Sequence, residues 1–345
     1  MTQFKNTSEI RDYQNPNLNS FFIRTLEVDS LVLKNNPWGD PSVRFNHFLV
    51  PKDHEINEEL PLVLVLSGFA GNGTAAFANK GFENNFVEQL DVCLQDKKAP
   101  RAFYCFVDAW TFWGGSQFIN SVGMGRYQDY IIHELYPALI NQLPIDKKKT
   151  CVMGISSGGY GALHLSSQFP NYFPYVAALA PDSFFERCYL EDLLKAAPFI
   201  KQFQSFKEVI DLHRLRQLHS RKDGFSFLNA IAMTLCYSGK ANKKGMDYPI
   251  DFETGEFVPS IWKKWQKNDP IHFLSERKLN IKKIKAIYLD VGDRDQFHMQ
   301  YGARKIRDLF KKLKVKTHYS EFNGGHFDLS QRRPEVWKWL CKNGF

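Results

Sequence analysis

Six short, largely apolar runs recur along the chain, at 62–66, 102–107, 151–153, 175–179, 286–289 and 317–321. Most of them are separated by stretches whose apolar residues recur at helical spacing. Continuous apolar strands alternating with helices bury both faces of a sheet, so the pattern predicts an α/β fold built on a mostly parallel sheet with helices on both faces. Upstream, residues 26–33 and 43–50 alternate apolar with polar residues around Asn35-Asn36-Pro37-Trp38-Gly39-Asp40-Pro41, which predicts two antiparallel strands and a turn. Residues 1–20 read as a poorly ordered arm, and 21–345 as one domain. From about 182 to 285 the alternation stops: the segment is helical in pattern and carries Phe184, Phe185, Phe199, Phe203, Phe206, Phe225 and Phe227. An insertion there overhangs the carboxyl ends of the strands, where open α/β sheets bind ligands, and is expected to serve as a lid. Its phenylalanines either wall an apolar pocket or form the lid's own core.

The run at 151–153 leads into Gly154-Ile155-Ser156-Ser157-Gly158, and the small-residue helical stretch Gly159-Tyr160-Gly161-Ala162-Leu163 follows. That is strand, sharp turn and helix with Ser156 at the apex, the context that makes G-x-S-x-G a nucleophile elbow. The glycines fit the geometry, because a turn this tight brings backbone so close that a Cβ would collide.

Composition narrows the alternatives. The formal charge of +8 invites a nucleic-acid reading. The basic residues cluster at 277–285 and 304–316, however, and in the second cluster Ala303, Ile306, Leu309, Phe310 and Leu313 recur at helical spacing. This is the solvated face of an amphipathic helix, and no nucleic-acid motif accompanies it. No segment approaches a membrane span, and 1–17 has no apolar core of a secretion signal. The six cysteines form no C-x-x-C pair, and two lie in strand-like runs, which suits a reducing, cytoplasmic setting without disulfides.

A serine nucleophile needs a base and a carboxylate to orient it, in the chain order serine, acid, histidine. The run from Ala286 ends in a loop with three candidate acids, Asp290, Asp293 and Asp295. His326 stands in the glycine-flexed loop Asn323-Gly324-Gly325-His326 after the last strand and is the expected base; His318 lies within the strand pattern, and His298 close to the acid loop. Charge developing on a substrate oxygen needs donors, expected from the backbone amide of Ser157 and from Phe69 in the loop Ser67-Gly68-Phe69-Ala70-Gly71. That loop matches neither the G-K-[ST] ending of a phosphate loop nor G-x-G-x-x-G, and His133-Glu134 lacks the second histidine of H-E-x-x-H, so neither cofactor nor metal is expected.

These residues resemble the esterase family of α/β-hydrolases that includes enterochelin-esterase-like proteins, S-formylglutathione hydrolases, feruloyl esterases and mycolyltransferases. The resemblance rests on Leu33–Pro41, on Trp113-Gly114-Gly115-Ser116-Gln117-Phe118-Ile119-Asn120-Ser121 with Gly125-Arg126-Tyr127, on the 154–163 segment, and on the stretch around His326. Two departures stand out: Ser67 where many relatives have histidine, and Ala180-Pro181-Asp182-Ser183-Phe184 in place of a more usual small-residue sequence. The resemblance implies an α/β-hydrolase fold and hydrolysis of a small-molecule carboxylic ester or thioester through an acyl-enzyme. It implies Asp295 as the acid, from its G-x-x-D position, with Gly68, Gly115, Ser116 and Asn120 contacting substrate. Acyl transfer to an alcohol, and binding on an inactive scaffold, are the competing readings; the oligomeric state is left open.

Overall fold

The computed structural model describes residues 8–13, 18–239 and 246–345. Among them the apolar runs assemble into one nine-stranded sheet: β1 (Ser8–Tyr13), β2 (Phe21–Asp29), β3 (Val43–Pro51), β4 (Leu60–Leu66), β5 (Phe103–Phe106), β8 (Ile145–Ile155), β9 (Tyr175–Leu179), β10 (Ala286–Gly292) and β11 (Thr317–Phe322). A two-stranded hairpin, β6 (Asn120–Ser121) and β7 (Gly125–Arg126), stands apart. The spatial order is β1-β2-β3-β5-β4-β8-β9-β10-β11. The four strands β1, β2, β3 and β5 pair antiparallel, and from β5 to β11 every pairing is parallel. Every residue of β4, β5 and β10 is buried, which requires cover on both faces of the sheet.

The antiparallel edge differs from the sequence expectation in two ways. Strand β2 begins earlier and stops at Asp29, because the hydroxyl of Ser30 and the amides of Leu31 and Val32 all donate to Glu134 and turn the chain away. Glu134 is thereby committed to a structural turn. Second, part of the expected arm is ordered: residues 8–13 form β1 along the open edge of β2, with Ser8 opposite Val28, and an unpaired strand edge is a ready template for such pairing. The amides of Asn19 and Ser20 donate to Asp91 at 3.1 and 2.7 Å, which fastens the start of β2 to helix α1 (Phe86–Gln95). Residues 1–7 and 14–17 of the expected arm lie outside the described residues.

Helices fill the connections. Short helices α2 (Tyr127–Asp129) and α3 (Tyr136–Gln142) precede β8, and α4 (Ser157–Gln168) follows it, packing on β8 and β9. Between β9 and β10 run α5 (Phe185–Cys188), α6 (Leu190–Ile200), α7 (Phe206–Arg214), α8 (Gly224–Tyr237), α9 (Pro259–Asn268), α10 (Pro270–Glu276) and α11 (Lys278–Ile281). Phe199, Phe203 and Phe227 form a ring cluster of their own, with Phe199 and Phe227 centroids 4.6 Å apart, and Phe206 stacks on Trp113 at 5.8 Å. Helix α12 (Met299–Leu313) buries Met299, Ala303, Ile306 and Phe310 and turns its lysines and arginines outward. Helix α13 (Arg333–Lys342) closes the chain. Among the described residues all six cysteines are free, and no helix is long and apolar enough to cross a membrane.

Candidate active site

The elbow forms where β8 ends. Ser156 adopts φ 58° and ψ −124°, a backbone conformation that costs a non-glycine residue on the order of 1–3 kcal/mol. Its amide donates to the Leu179 carbonyl at 2.8 Å, which ties the turn to the end of β9. The flanking glycines are sterically required: a Cβ on Gly154 would overlap the backbone of Gly158, and a Cβ on Gly158 would overlap the Leu66 carbonyl. Helix α4 starts at Ser157, so the Ser157 amide is among those a helix leaves without an internal partner.

Two loops deliver the acid and the base side by side. The amides of Asp293 and Arg294 donate to the carbonyls of Phe322 and Gly324, at 2.9 and 3.0 Å, and the Gly324 amide donates back to Asp293 Oδ1 at 3.0 Å. Gln296 Oε1 accepts the His326 amide at 2.7 Å, and a Cβ on Gly325 would press into the Gln296 side chain. With the loops joined this way, Asp295 Oδ2 lies 2.7 Å from His326 Nδ1, the carboxylate fully buried and the imidazole nearly so. Asp295 Oδ1 accepts the Phe297 amide at 2.9 Å, so both oxygens are held. The neighbouring aspartates have other partners: Asp290 takes Tyr288 and Arg332, and Asp293 takes Gly324 and Arg294. His318 stacks on Tyr288 within the sheet, and His298 faces Glu191 of α6 at 3.5 Å.

Ser156 and His326 line one cavity of about 220 Å³. Gly68, Phe69 and Ser157 line it as well, and a Cβ on Gly68 would make a tight contact, 3.3 Å, with the Ile155 carbonyl. The turn after β4 spends the amides of Ala70 and Gly71 on the Gly114 and Gly68 carbonyls, both at 3.0 Å, and Phe69 is left in the cavity wall. Phe225, Phe297 and Phe327 also line it, with the Phe225 ring in edge contact with Phe69 at 5.9 Å and the Phe297 ring edge-on to His326 at 4.8 Å. Of the seven phenylalanines singled out in the insertion, Phe225 alone lines this cavity; the others pack elsewhere. A larger groove of about 760 Å³ opens near Leu60 and Pro61, at the amino end of β4, away from Ser156.

Three residues expected to contact substrate have other places. Gly115 packs under the Phe69 ring, 3.4 Å from a Cβ it would carry, and so shapes Phe69 rather than the cavity itself. Buried Ser116 accepts the Phe118 amide at 3.2 Å and braces the same loop. Asn120 is tied on both sides of its amide to Asp129, at 2.7 and 3.1 Å, in the β6–β7 hairpin. Sequence reasoning passed over Asp182, which the structure puts against the nucleophile: Ser156 Oγ donates to Asp182 Oδ1 at 3.2 Å. Its other oxygen accepts from Ser157 Oγ at 2.8 Å, Tyr189 Oη at 2.6 Å and Gln117 Nε2 at 3.0 Å. The unusual 180–184 sequence was the available signal, because only folding brings Gln117 and Tyr189 to it.

Comparison with known proteins gives consistent results. The family model described as "Putative esterase" matches residues 42–328. The S-formylglutathione hydrolase of Bos taurus is 27% identical over 169 residues, 46% of this chain and 56% of that protein, and the chain thus spans about half the length of this curated relative. Among solved structures, a ferulic acid esterase superposes with a TM-score of 0.57 at 14% identity, covering 94% of this chain and 99% of the other. The fluorophosphonate-binding serine hydrolase FphF of Staphylococcus aureus superposes with a TM-score of 0.53 at 14% identity, covering 97% and 98%.

Proposed function

Because the chain belongs to the esterase family of α/β-hydrolases, we propose that it hydrolyses a small-molecule carboxylic ester or thioester through an acyl-enzyme formed on Ser156. The observation that carries this reading is the shared cavity of Ser156 and His326, with Asp295 2.7 Å behind the imidazole. Asp295 accepts the hydrogen bond of Nδ1–H and so fixes the tautomer that leaves Nε2 as an acceptor. Nε2 removes the proton from Ser156 Oγ as it attacks the acyl carbon, then returns it to the leaving alcohol or thiol. The tetrahedral oxyanion is received by the amides of Ser157 and Phe69, whose fixed dipoles need no reorganisation. Water, activated by the same imidazole, releases the acid.

The single domain at 21–345 carries the segment at 182–285 as a lid, since Cys188, Tyr189, Phe225 and Asn229 from that segment line the cavity. The test is a fluorophosphonate probe together with a panel of nitrophenyl esters of graded acyl length. Wild type reacts with the probe and turns over at least one ester, and Ser156→Ala does neither. Equal labelling of Ser156→Ala sinks the assignment, and a product assay with an added alcohol tells hydrolysis from acyl transfer.

A further inference from the structure

The cavity is lined by a carboxylate, Asp182, that the reaction above does not use. Asp182 is 2% exposed, lines the cavity, and reaches Ser156 Oγ at 3.2 Å through Oδ1. Its four hydrogen-bond donors among the described residues, Ser156, Ser157, Tyr189 and Gln117, are neutral groups. No Lys or Arg lines this cavity among the described residues, although the chain as a whole carries +8. The field of the carboxylate is felt nearby: burial, and next the Asp182 charge, push the Cys188 thiol well above its ordinary range, and the Tyr189 phenol likewise. Tyr189 is therefore a permanent donor and Cys188 an unreactive thiol at neutral pH.

A buried anion beside the reacting atom selects for what it can pair with. Three of the donors crowd Oδ2, whereas among the described residues Oδ1 has only the Ser156 hydroxyl, which must leave it to attack. Once the acyl-enzyme forms, an amino nitrogen on the α-carbon is separated from Oγ only by the carbonyl carbon and the α-carbon, so it comes within hydrogen-bond reach of Oδ1. Asn229, whose amide nitrogen is committed to Asp192 at 2.7 Å, lines the same cavity. Phe69, Phe225 and Phe297 line the cavity, and an aromatic ring attracts an ammonium group that meets its face.

Resting on the esterase reading of Ser156, we infer that the acyl group this site accepts bears an ammonium on its α-carbon, with Asp182 as the specificity residue that receives it. The preferred substrates are α-aminoacyl esters or thioesters.

The experiment compares wild-type kcat/KM for leucine methyl ester, its deaminated counterpart methyl 4-methylpentanoate, and N-acetylleucine methyl ester, at a pH about one unit below the α-amino pKa. A charged hydrogen bond lost from a buried site predicts that the ammonium ester leads by about 10- to 100-fold over both neutral esters. In Asp182→Asn, checked for native circular dichroism and for fluorophosphonate labelling, that lead falls towards unity. A merely structural carboxylate would leave the ratio between the esters unchanged in the variant. If Asp182→Asn does not fold, the wild-type ratios alone decide. Wild type that labels with the fluorophosphonate yet prefers or equally accepts the neutral esters overturns the ammonium assignment and leaves the esterase reading standing; wild type that fails to label overturns both.

Discussion

Asp295 Oδ2 and His326 Nδ1 stand 2.7 Å apart, although they belong to loops that follow different strands, β10 and β11. The isosteric Asp295→Asn variant keeps the volume but can present its amide nitrogen to Nδ1, favouring the wrong tautomer. By analogy with serine proteases, kcat falls on the order of 10⁴-fold while circular dichroism stays native. Asp293→Asn loses little rate, since Asp293 serves only the loop junction with Gly324 and Arg294. Asp290→Asn costs about 1–3 kcal/mol of stability rather than rate, because it weakens the hydrogen bond of the half-buried Arg332 to a buried carboxylate. Steady-state rates and thermal unfolding on the three variants check the division, and a near-normal rate in folded Asp295→Asn refutes it.

Gly158→Ala places a methyl group into the Leu66 carbonyl, which is backbone and cannot rotate away. The expected cost is about 3 kcal/mol, with a visibly lower Tm and weak fluorophosphonate labelling. Unchanged Tm would mean that the turn has room that the geometry denies.

Two phenylalanines two residues apart in α8 separate packing from substrate contact. Phe227 is fully buried in the ring cluster with Phe199 and Phe203, so Phe227→Ala costs about 3–5 kcal/mol. Phe225 is 40% exposed and lines the cavity, so Phe225→Ala leaves Tm nearly unchanged and raises KM for bulky acyl esters. Reversed effects on Tm would exchange their roles.

Asp269 caps α10 and also accepts the amides of Phe184 and Phe185, which fastens the segment after Asp182. Burial, opposed by those amides, pushes its pKa up from 3.8 to about 6. Between those values the folded state retains a proton that the unfolded chain has released, so stability declines as pH rises through the window and levels off above it. The shift corresponds to about 3 kcal/mol. Measured by denaturant unfolding, the stability of wild type relative to Asp269→Asn falls between pH 4 and pH 7 by roughly that amount. A flat difference means that Asp269 titrates as an exposed carboxylate does.

How far the chain could be read in advance follows from where its signals lie. Strand runs such as 62–66 and 286–289 are local, apolar and bounded by turn residues, so β4 and β10 were legible. So was the elbow, whose glycines sit within the motif itself. The three aspartates in and after β10 could be told apart in part from sequence, Asp290 by its place in the strand run and Asp293 by its neighbour Arg294, but the partners Arg332, Gly324 and His326 lie beyond β11 and are brought to them only by folding. Strand β1 was missed because SEIRDY has no apolar run; its pairing depends on an edge offered by β2. Asp182 stood out as unusual and not as functional, since Gln117 is 65 residues away and Ser156 is 26, and folding alone brings them to it. Asn120 read as a substrate contact from its motif, and its amide is tied through one donor and its oxygen to Asp129.

Phe69 follows β4, Ser156 follows β8, Asp182 follows β9, Asp295 follows β10 and His326 follows β11, and those five strands are consecutive neighbours in the sheet. No part of the sheet can therefore present the cavity by itself: a chain with β11 undocked has its serine but lacks its imidazole, and one with β9 displaced releases the Ser156 amide from Leu179. Reactivity at a single hydroxyl thus becomes a census of fully assembled molecules. In a refolding reaction, the burst of probe incorporation should lag behind the recovery of helical dichroism and coincide with the last strand to pair.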